Sequence, residues 1–416
     1  MEDIKLKKEH LKFVIVGHVD HGKSTLIGRL FFDTDSLPAD RIEEVKKTSK
    51  ELGREVELAF LMDHFQEERE QGITIDTAQT FFKTDKREYI IIDAPGHVEF
   101  VKNMITGASQ AEAAILIIDV EEGVREQTKR HAYILSMLGL KQVMVVFNKM
   151  DLVGYRVEDF DKVKDEVEKF LASINIQPEH YIPISAMKSD NVAKKSTNMP
   201  WYNGPTVLEA LDSFKTNPPD ENKSLIMPIQ DIYKIGDKRI AVGRVETGVI
   251  KKGDKIKILP SEQITTVNSI EKYLEDVDKS YAGQNIGLTT TDPVFLERGN
   301  VICSPGKEPY LTDTFKADVF WLSKKELLKG EKIILKCATQ ETICWLEKIE
   351  ERMNSSSLDI IENDADKLCN LELGTVVIKT KKPVVIKSFN EVQELGRFVF
   401  VRDENICAGG IIPAVN

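Results

Sequence analysis

A glycine-bearing loop between an apolar run and an amphipathic run constrains this chain more than any other feature. Phe13, Val14, Ile15 and Val16 are unbroken apolar residues, as expected of a strand buried on both faces of a parallel sheet. The loop follows as Gly17, His18, Val19, Asp20, His21, Gly22, Lys23, Ser24 and Thr25, and then Leu26, Ile27, Leu30 and Phe31 recur at helical intervals. A loop placed between strand and helix lets successive backbone N–H groups converge on phosphate oxygens, where the helix dipole already favours an anion. Lys23 is placed to reach the β- and γ-phosphates, and the Ser24 hydroxyl to ligate Mg²⁺.

The chain continues as apolar strands alternating with amphipathic helices, which predicts a doubly wound α/β domain over residues 1–215. A long polar stretch from Asp33 to Thr77 ends in a charged segment around Gly72. By itself that segment reads as a solvated helix end followed by a strand. Tyr89 to Asp93 is a second buried strand, followed by Ala94, Pro95, Gly96 and His97 at the end where parallel sheets bind ligands. There Asp93 would hold Mg²⁺ through water, and Gly96 would turn its N–H to a γ-phosphate and flip when that group leaves. His97 has two readings at this point: it positions an attacking water, or it caps the helix that Val98, Phe100, Val101 and Met104 predict.

Two later strand ends point to a base. The strand Val143 to Phe147 runs into Asn148, Lys149, Met150 and Asp151. A carboxylate at Asp151 can accept from both the N1–H and the 2-amino group of guanine, donors that adenine lacks. Asn148 can pin the loop and the Lys149 stem can lie over the ring. The strand Tyr181 to Ile184 ends in Ser185, Ala186 and Met187, where a backbone amide would contact guanine O6.

The 416 residues suffice for two or three domains, and 41% hydrophobic with 30% charged residues describe a soluble globular chain. No signal peptide or membrane span is predicted, so a cytoplasmic location is expected. Cys303, Cys337, Cys344, Cys369 and Cys407 are scattered singly and read as buried thiols in a reducing compartment. A net charge of −11 argues against non-specific attraction to nucleic acid, while leaving room for a local basic patch. After a linker at Lys215 to Ser224, short β-like runs with turns predict two small barrels, over residues 225–304 and 312–416.

The motifs from Gly17 to Ser24, at Thr74, from Asp93 to His97, from Asn148 to Asp151 and at Ser185 and Ala186 resemble the P-loop GTPases of the translation-factor class. The resemblance implies GTP and Mg²⁺ as ligands, with Thr74 closing over the metal and the γ-phosphate and His97 orienting the water. Gly96 and Lys23 complete the implied catalytic set, and Ser24, Thr74 and Asp93 the metal set. It also implies the two barrels. Leu26 to Pro38, Ala317 to Leu322, Ala338 to Glu341, Asn354 to Leu358 and Leu395 to Phe398 further resemble the large GTPase subunit of bacterial sulfate adenylyltransferase. The expectation is therefore a heterodimer with a smaller catalytic ATP sulfurylase subunit, in which GTP turnover drives adenosine 5′-phosphosulfate formation, without nucleic acid or membrane. The alternative is an elongation factor 1A/Tu-like carrier of aminoacyl-tRNA, which His18 to His21 and Asn198 to Pro205 resemble. The pair His18 and His21 is expected to shape the phosphate loop rather than to catalyse adenylylation.

Overall fold

The computed structural model describes residues 10–36, 79–93, 111–216, 221–236, 238–272 and 275–415. The chain divides into two compact units, Met1–Asn217 and Pro218–Asn416.

In the first unit a six-stranded sheet runs in the order β2-β3-β1-β4-β5-β6. Its strands are β1 (His10–Gly17), β2 (Gln79–Lys83), β3 (Glu88–Asp93), β4 (Ala113–Asp119), β5 (Gln142–Asn148) and β6 (His180–Pro183). All pairings are parallel except that of the edge strand β2 with β3. Every residue of β4, an Ala-Ala-Ile-Leu-Ile-Ile-Asp run, is buried, as a strand covered on both faces requires. Helices α1 (Lys23–Asp33), α2 (Glu126–Met137), α3 (Val157–Ser173) and α4 (Val207–Ser213) connect or flank the strands. On α3 the buried residues Phe160, Val163, Val167 and Leu171 repeat at helical spacing, and Glu158 and Asp159 in the first turn suit the helix dipole. On α4 the start is fixed by a reciprocal cap, Glu209 N–H donating to Thr206 Oγ1 at 3.2 Å and Thr206 N–H to Glu209 Oε2 at 2.8 Å. The core joins Phe13, Ile15, Leu26, Leu30, Ile115, Met144 and Leu211. The edge strand β2 lies just beyond the polar stretch Asp33 to Thr77, with Phe82 buried and Phe81 exposed.

The parallel pairing brings the C-terminal ends of β1, β3, β4 and β5 to one edge of the sheet. Ile15 is in register with Asp93, Gly17 with Ile117, and Asp119 with Asn148. Since β1 is followed in the sheet by β3 on one side and β4 on the other, that edge holds the switch point where α/β sheets accept ligands.

The second unit contains two closed six-stranded barrels. The first closes as β10-β15-β7-β8-β14-β11 through a β10–β11 pairing, where β7 is Ile226–Ile235, β8 Lys238–Arg244, β10 Lys255–Leu259, β11 Gln263–Lys272, β14 Asn285–Thr290 and β15 Val301–Cys303, the short strands β9 (Val249–Lys251), β12 (Glu275–Val277) and β13 (Lys279–Tyr281) lying outside the closed ring. The second closes as β18-β23-β24-β16-β22-β19 through β18–β19, where β16 is Tyr310–Trp321, β18 Ile333–Cys337, β19 Gln340–Asn354, β22 Glu372–Ile386, β23 Arg397–Arg402 and β24 Asn405–Ile411, the short strands β17 (Leu327–Leu328), β20 (Ile360–Ala365) and β21 (Lys367–Leu368) lying outside the closed ring. Closure removes the sheet edges that would otherwise aggregate. An apolar seam of Ile226, Leu259, Val301 and Cys303 against Val385, Val392 and Leu395 joins the barrels. The five cysteines are free thiols; Cys369 is only half-buried, because it lies in the turn that enters β22.

Candidate functional site

β1 delivers the chain to Gly17, where a Cβ would collide with the carbonyl oxygen of Ile117 on β4. At Gly22, φ is 93°, a left-handed value that glycine adopts without steric cost, and the residue caps α1. A Cβ there would strike the side-chain amide of Asn148, so the two loops approach each other as closely as glycine permits. Lys23 Nζ donates to the carbonyls of Gly17 at 2.8 Å and His18 at 2.6 Å, which keeps the ammonium folded over the loop. Ser24 is exposed in the first turn of α1, and Val19 and Asp20 are exposed at the loop's crest.

His21 is fully buried, its Nδ1 3.4 Å from the Ile117 carbonyl and its Nε2 3.6 Å from Glu122 Oε2. The His18 ring meets it edge-on with centroids 5.1 Å apart. Burial lowers the His21 pKa, with the neighbouring His18 adding to the effect, so the ring is neutral packing inside the loop.

The guanine-side candidates form one network. Asn148 is 3% exposed; its Nδ2 donates to the His21 carbonyl at 2.9 Å and its Oδ1 accepts the Ala186 N–H at 3.0 Å. It thus ties the phosphate loop to the loop after β6. The Ala186 amide, offered to guanine O6 by the sequence, already has this acceptor and would have to share it. Lys149 has φ 67°, uncommon for a residue with a Cβ, and its Nζ lies 2.6 Å from Asp119 Oδ2. Met150 is buried, with its N–H on the Ile184 carbonyl at 3.1 Å, and Asp151 is half-buried beside it. Met187 is exposed.

Asp93 ends β3, its backbone in register with Ile15. Thr74, Ala94, Pro95, Gly96 and His97 lie outside the described residues, as does the helix expected from Val98 to Met104.

Two further residues shape the site, Asp119 and Arg29. Asp119, 1% exposed at the end of β4, holds Lys149 and accepts the Glu121 N–H at 2.9 Å. Arg29 on α1 donates from Nε to the Ala186 carbonyl at 3.1 Å and from Nη2 to the Met187 carbonyl at 2.7 Å. The position of Asp119 at a strand's C-terminal end, like that of Asp93, was the one available hint. Arg29 offered none.

A phosphate-loop sheet followed by two closed barrels is the build of a translation-factor-type GTPase. Residues 8–217 match the family model "Elongation factor Tu GTP binding domain", residues 238–303 match "Elongation factor Tu domain 2" and residues 314–413 match "GTP-eEF1A C-terminal domain-like". Proteins named elongation factor 1-alpha are 41% identical in Thermoplasma acidophilum, over 98% of this chain and 98% of that one, and 40% identical in Methanopyrus kandleri, over 97% of each. One from Pyrococcus abyssi is 41% identical over 98% of each chain. The chain belongs to the elongation factor Tu/1A-like GTPase family, whose members bind GTP.

These full-length matches overturn the sulfate adenylyltransferase expectation and with it the small sulfurylase subunit as partner. The reason is physical. Of the residues that carried it, Leu26, Ile27, Leu30 and Phe31 are buried on α1, and Ala317, Val319, Phe320 and Trp321 are buried in the second barrel. They answer packing demands common to the whole fold and do not report a branch. Among the described residues no helix is long and apolar enough to cross a membrane.

Proposed function

We propose that this chain is a GTP-switched carrier of aminoacyl-tRNA in translation elongation. The observation that carries the reading is the 41% identity with a protein named elongation factor 1-alpha over 98% of both chains, barrels included. A match confined to the phosphate-loop unit would have supported only nucleotide binding.

In this reading the backbone N–H groups from His18 to Ser24 surround the phosphates at the N-terminus of α1. Lys23 exchanges the Gly17 and His18 carbonyls, on which it rests, for β- and γ-phosphate oxygens. Asp151 accepts from the guanine edge, the Lys149 stem covers the ring, and Asn148, Ser185, Ala186 and Met187 close the base site. Mg²⁺ fits the oxygen-only donors assigned to it, since Ser24 is exposed in the first turn of α1 and Asp93 belongs to the neighbouring strand end. With Thr74 they would hold it, and the ion would supply charge neutralisation between the phosphates. Gly96 and His97 are assigned to the γ-phosphate side, His97 orienting the attacking water.

The net charge of −11 is not an obstacle, because phosphate contacts depend on local patches rather than on total charge. Gel filtration with labelled tRNA tests the reading. Aminoacylated tRNA should co-elute with the protein in GTP analogue but not in GDP, and deacylated tRNA in neither. Equal co-elution under all conditions, or none, would overturn it.

A further inference from the structure

The segment Asn198 to Pro205 resembles the elongation-factor branch, yet no step of the nucleotide chemistry uses it. In the structure Asn198 and the preceding Ser196 meet on one carboxylate, and Trp201 meets that carboxylate's partner Tyr155. Asp190 is 8% exposed in the loop that follows β6. Its Oδ1 accepts from Ser196 Oγ at 2.5 Å and from Asn198 Nδ2 at 3.3 Å, and its Oδ2 accepts from Tyr155 Oη at 2.9 Å. Asn198 N–H in turn donates to Ser196 Oγ at 3.0 Å, and Trp201 Nε1–H donates to the Tyr155 carbonyl at 3.0 Å. The Trp201 ring lies against Phe160 on α3, with centroids 5.4 Å apart, so the brace is anchored on a buried helix face.

Both ends of this brace are base-site loops. Tyr155 N–H closes on the Met150 carbonyl at 2.8 Å, shutting the turn that carries Asp151. Asp190 and Ser185 exchange backbone bonds of 3.0 and 3.2 Å, shutting the turn that carries Ala186 and Met187. Tyr155 is at φ 60° and Asn191 at φ 56°, left-handed conformations that persist where surrounding contacts over-determine them. Burial first and the Asp190 bond second push the Tyr155 phenol up to about 12, so it stays a donor at neutral pH.

We propose that Asp190 is a positioning residue for guanine selectivity: with Tyr155 it fixes the turn bearing Asp151 relative to the turn bearing Ala186. This rests on the guanine reading of Asp151. A carboxylate that accepts two base N–H groups at once tolerates little displacement, because the second bond is lost first. The measurable consequence is discrimination between guanine and hypoxanthine, which lacks the 2-amino group. A general loss of folded protein scales the affinities of both nucleotides equally and leaves their ratio unchanged.

The test is the ratio of IDP to GDP dissociation constants, with ADP as a control, in the full chain and in Asp190→Asn and Tyr155→Phe. Losing one charge-assisted bond's worth of alignment predicts about a tenfold fall of the ratio in Asp190→Asn and a smaller fall in Tyr155→Phe. The double variant should be no worse than Asp190→Asn, since the two residues form one contact. A ratio unchanged from wild type in Tyr155→Phe, with or without a foldable Asp190→Asn, overturns the proposal while leaving the guanine reading intact. A wild-type chain that binds GDP and ADP alike would overturn the guanine reading and this inference with it.

Discussion

Replacing Asn148 with alanine removes the side chain that ties the phosphate loop to the loop after β6, and should weaken nucleotide binding severely. Its amide makes two buried bonds, 2.9 Å to the His21 carbonyl and 3.0 Å from the Ala186 N–H, and the residue is 3% exposed. A buried bond of this kind contributes about 1 to 1.5 kcal/mol net. Loss of both therefore costs about 2 to 3 kcal/mol. The cost falls on ordering: the phosphate loop and the Ala186 turn are no longer held to each other before the ligand arrives, and binding must restore that arrangement. Converted at about 1.4 kcal/mol per decade, the expected loss of GDP affinity is about 30- to 150-fold. Titration with a fluorescent GDP analogue measures it, and a thermal melt of the unliganded protein controls for unfolding. An affinity within about threefold of wild type in a variant that melts normally would refute the preorganisation argued from these bonds.

Four other outcomes are expected. Asp151→Asn should shift preference from GTP toward xanthosine triphosphate, whose 2-oxygen accepts where guanine donates; unchanged GTP affinity refutes the base assignment. His97→Ala should slow single-turnover GTP hydrolysis while leaving GTP affinity within a few-fold, and a wild-type rate removes it from the mechanism. Trp321→Ala, at a site with no exposure and with Nε1–H donating to the Lys325 carbonyl at 2.9 Å, should destabilise the second barrel by about 3 to 5 kcal/mol in urea melts; a loss under 1 kcal/mol contradicts its place in the core. Burial first, and then the positive charge of Lys23, push His131 down to about 3 from 6.5. The unfolded chain then binds the extra proton, so stability present above about pH 6.5 is lost as pH falls toward 3, by about 2 kcal/mol at pH 5. The stability advantage of wild type over His131→Gln should shrink by that amount between pH 8 and pH 5, and a pH-independent difference would show the imidazole to be insensitive.

The parts of the fold that were legible are those written locally. Phe13 to Val16 and Ala114 to Ile118 are apolar without alternation and short, as a strand buried on both faces is, and Gly22 with Lys23 marks the helix start. The barrels followed from short runs with turns, such as Lys255 to Leu259 after Gly253 and Asp254. What could not be read is the set of bonds that sheet topology creates between distant segments. Arg29 reaches Met187 across 158 positions, and Asp119 reaches Lys149 only because β4 and β5 are neighbours. Asp190 looks like a turn residue until Tyr155, Ser196 and Asn198 are folded around it. The branch within the family is not legible for a related reason: the resembling apolar residues on α1 and β16 are buried packing residues, which the fold alone demands.

If guanine nucleotide state governs the chain's hold on an aminoacyl ester, the half-life of that ester reports it. Aminoacyl-tRNA should deacylate at its spontaneous rate with the protein in GDP and several-fold more slowly with the protein in a GTP analogue. Deacylation that proceeds at the spontaneous rate in both nucleotides, with nucleotide binding intact, would contradict it.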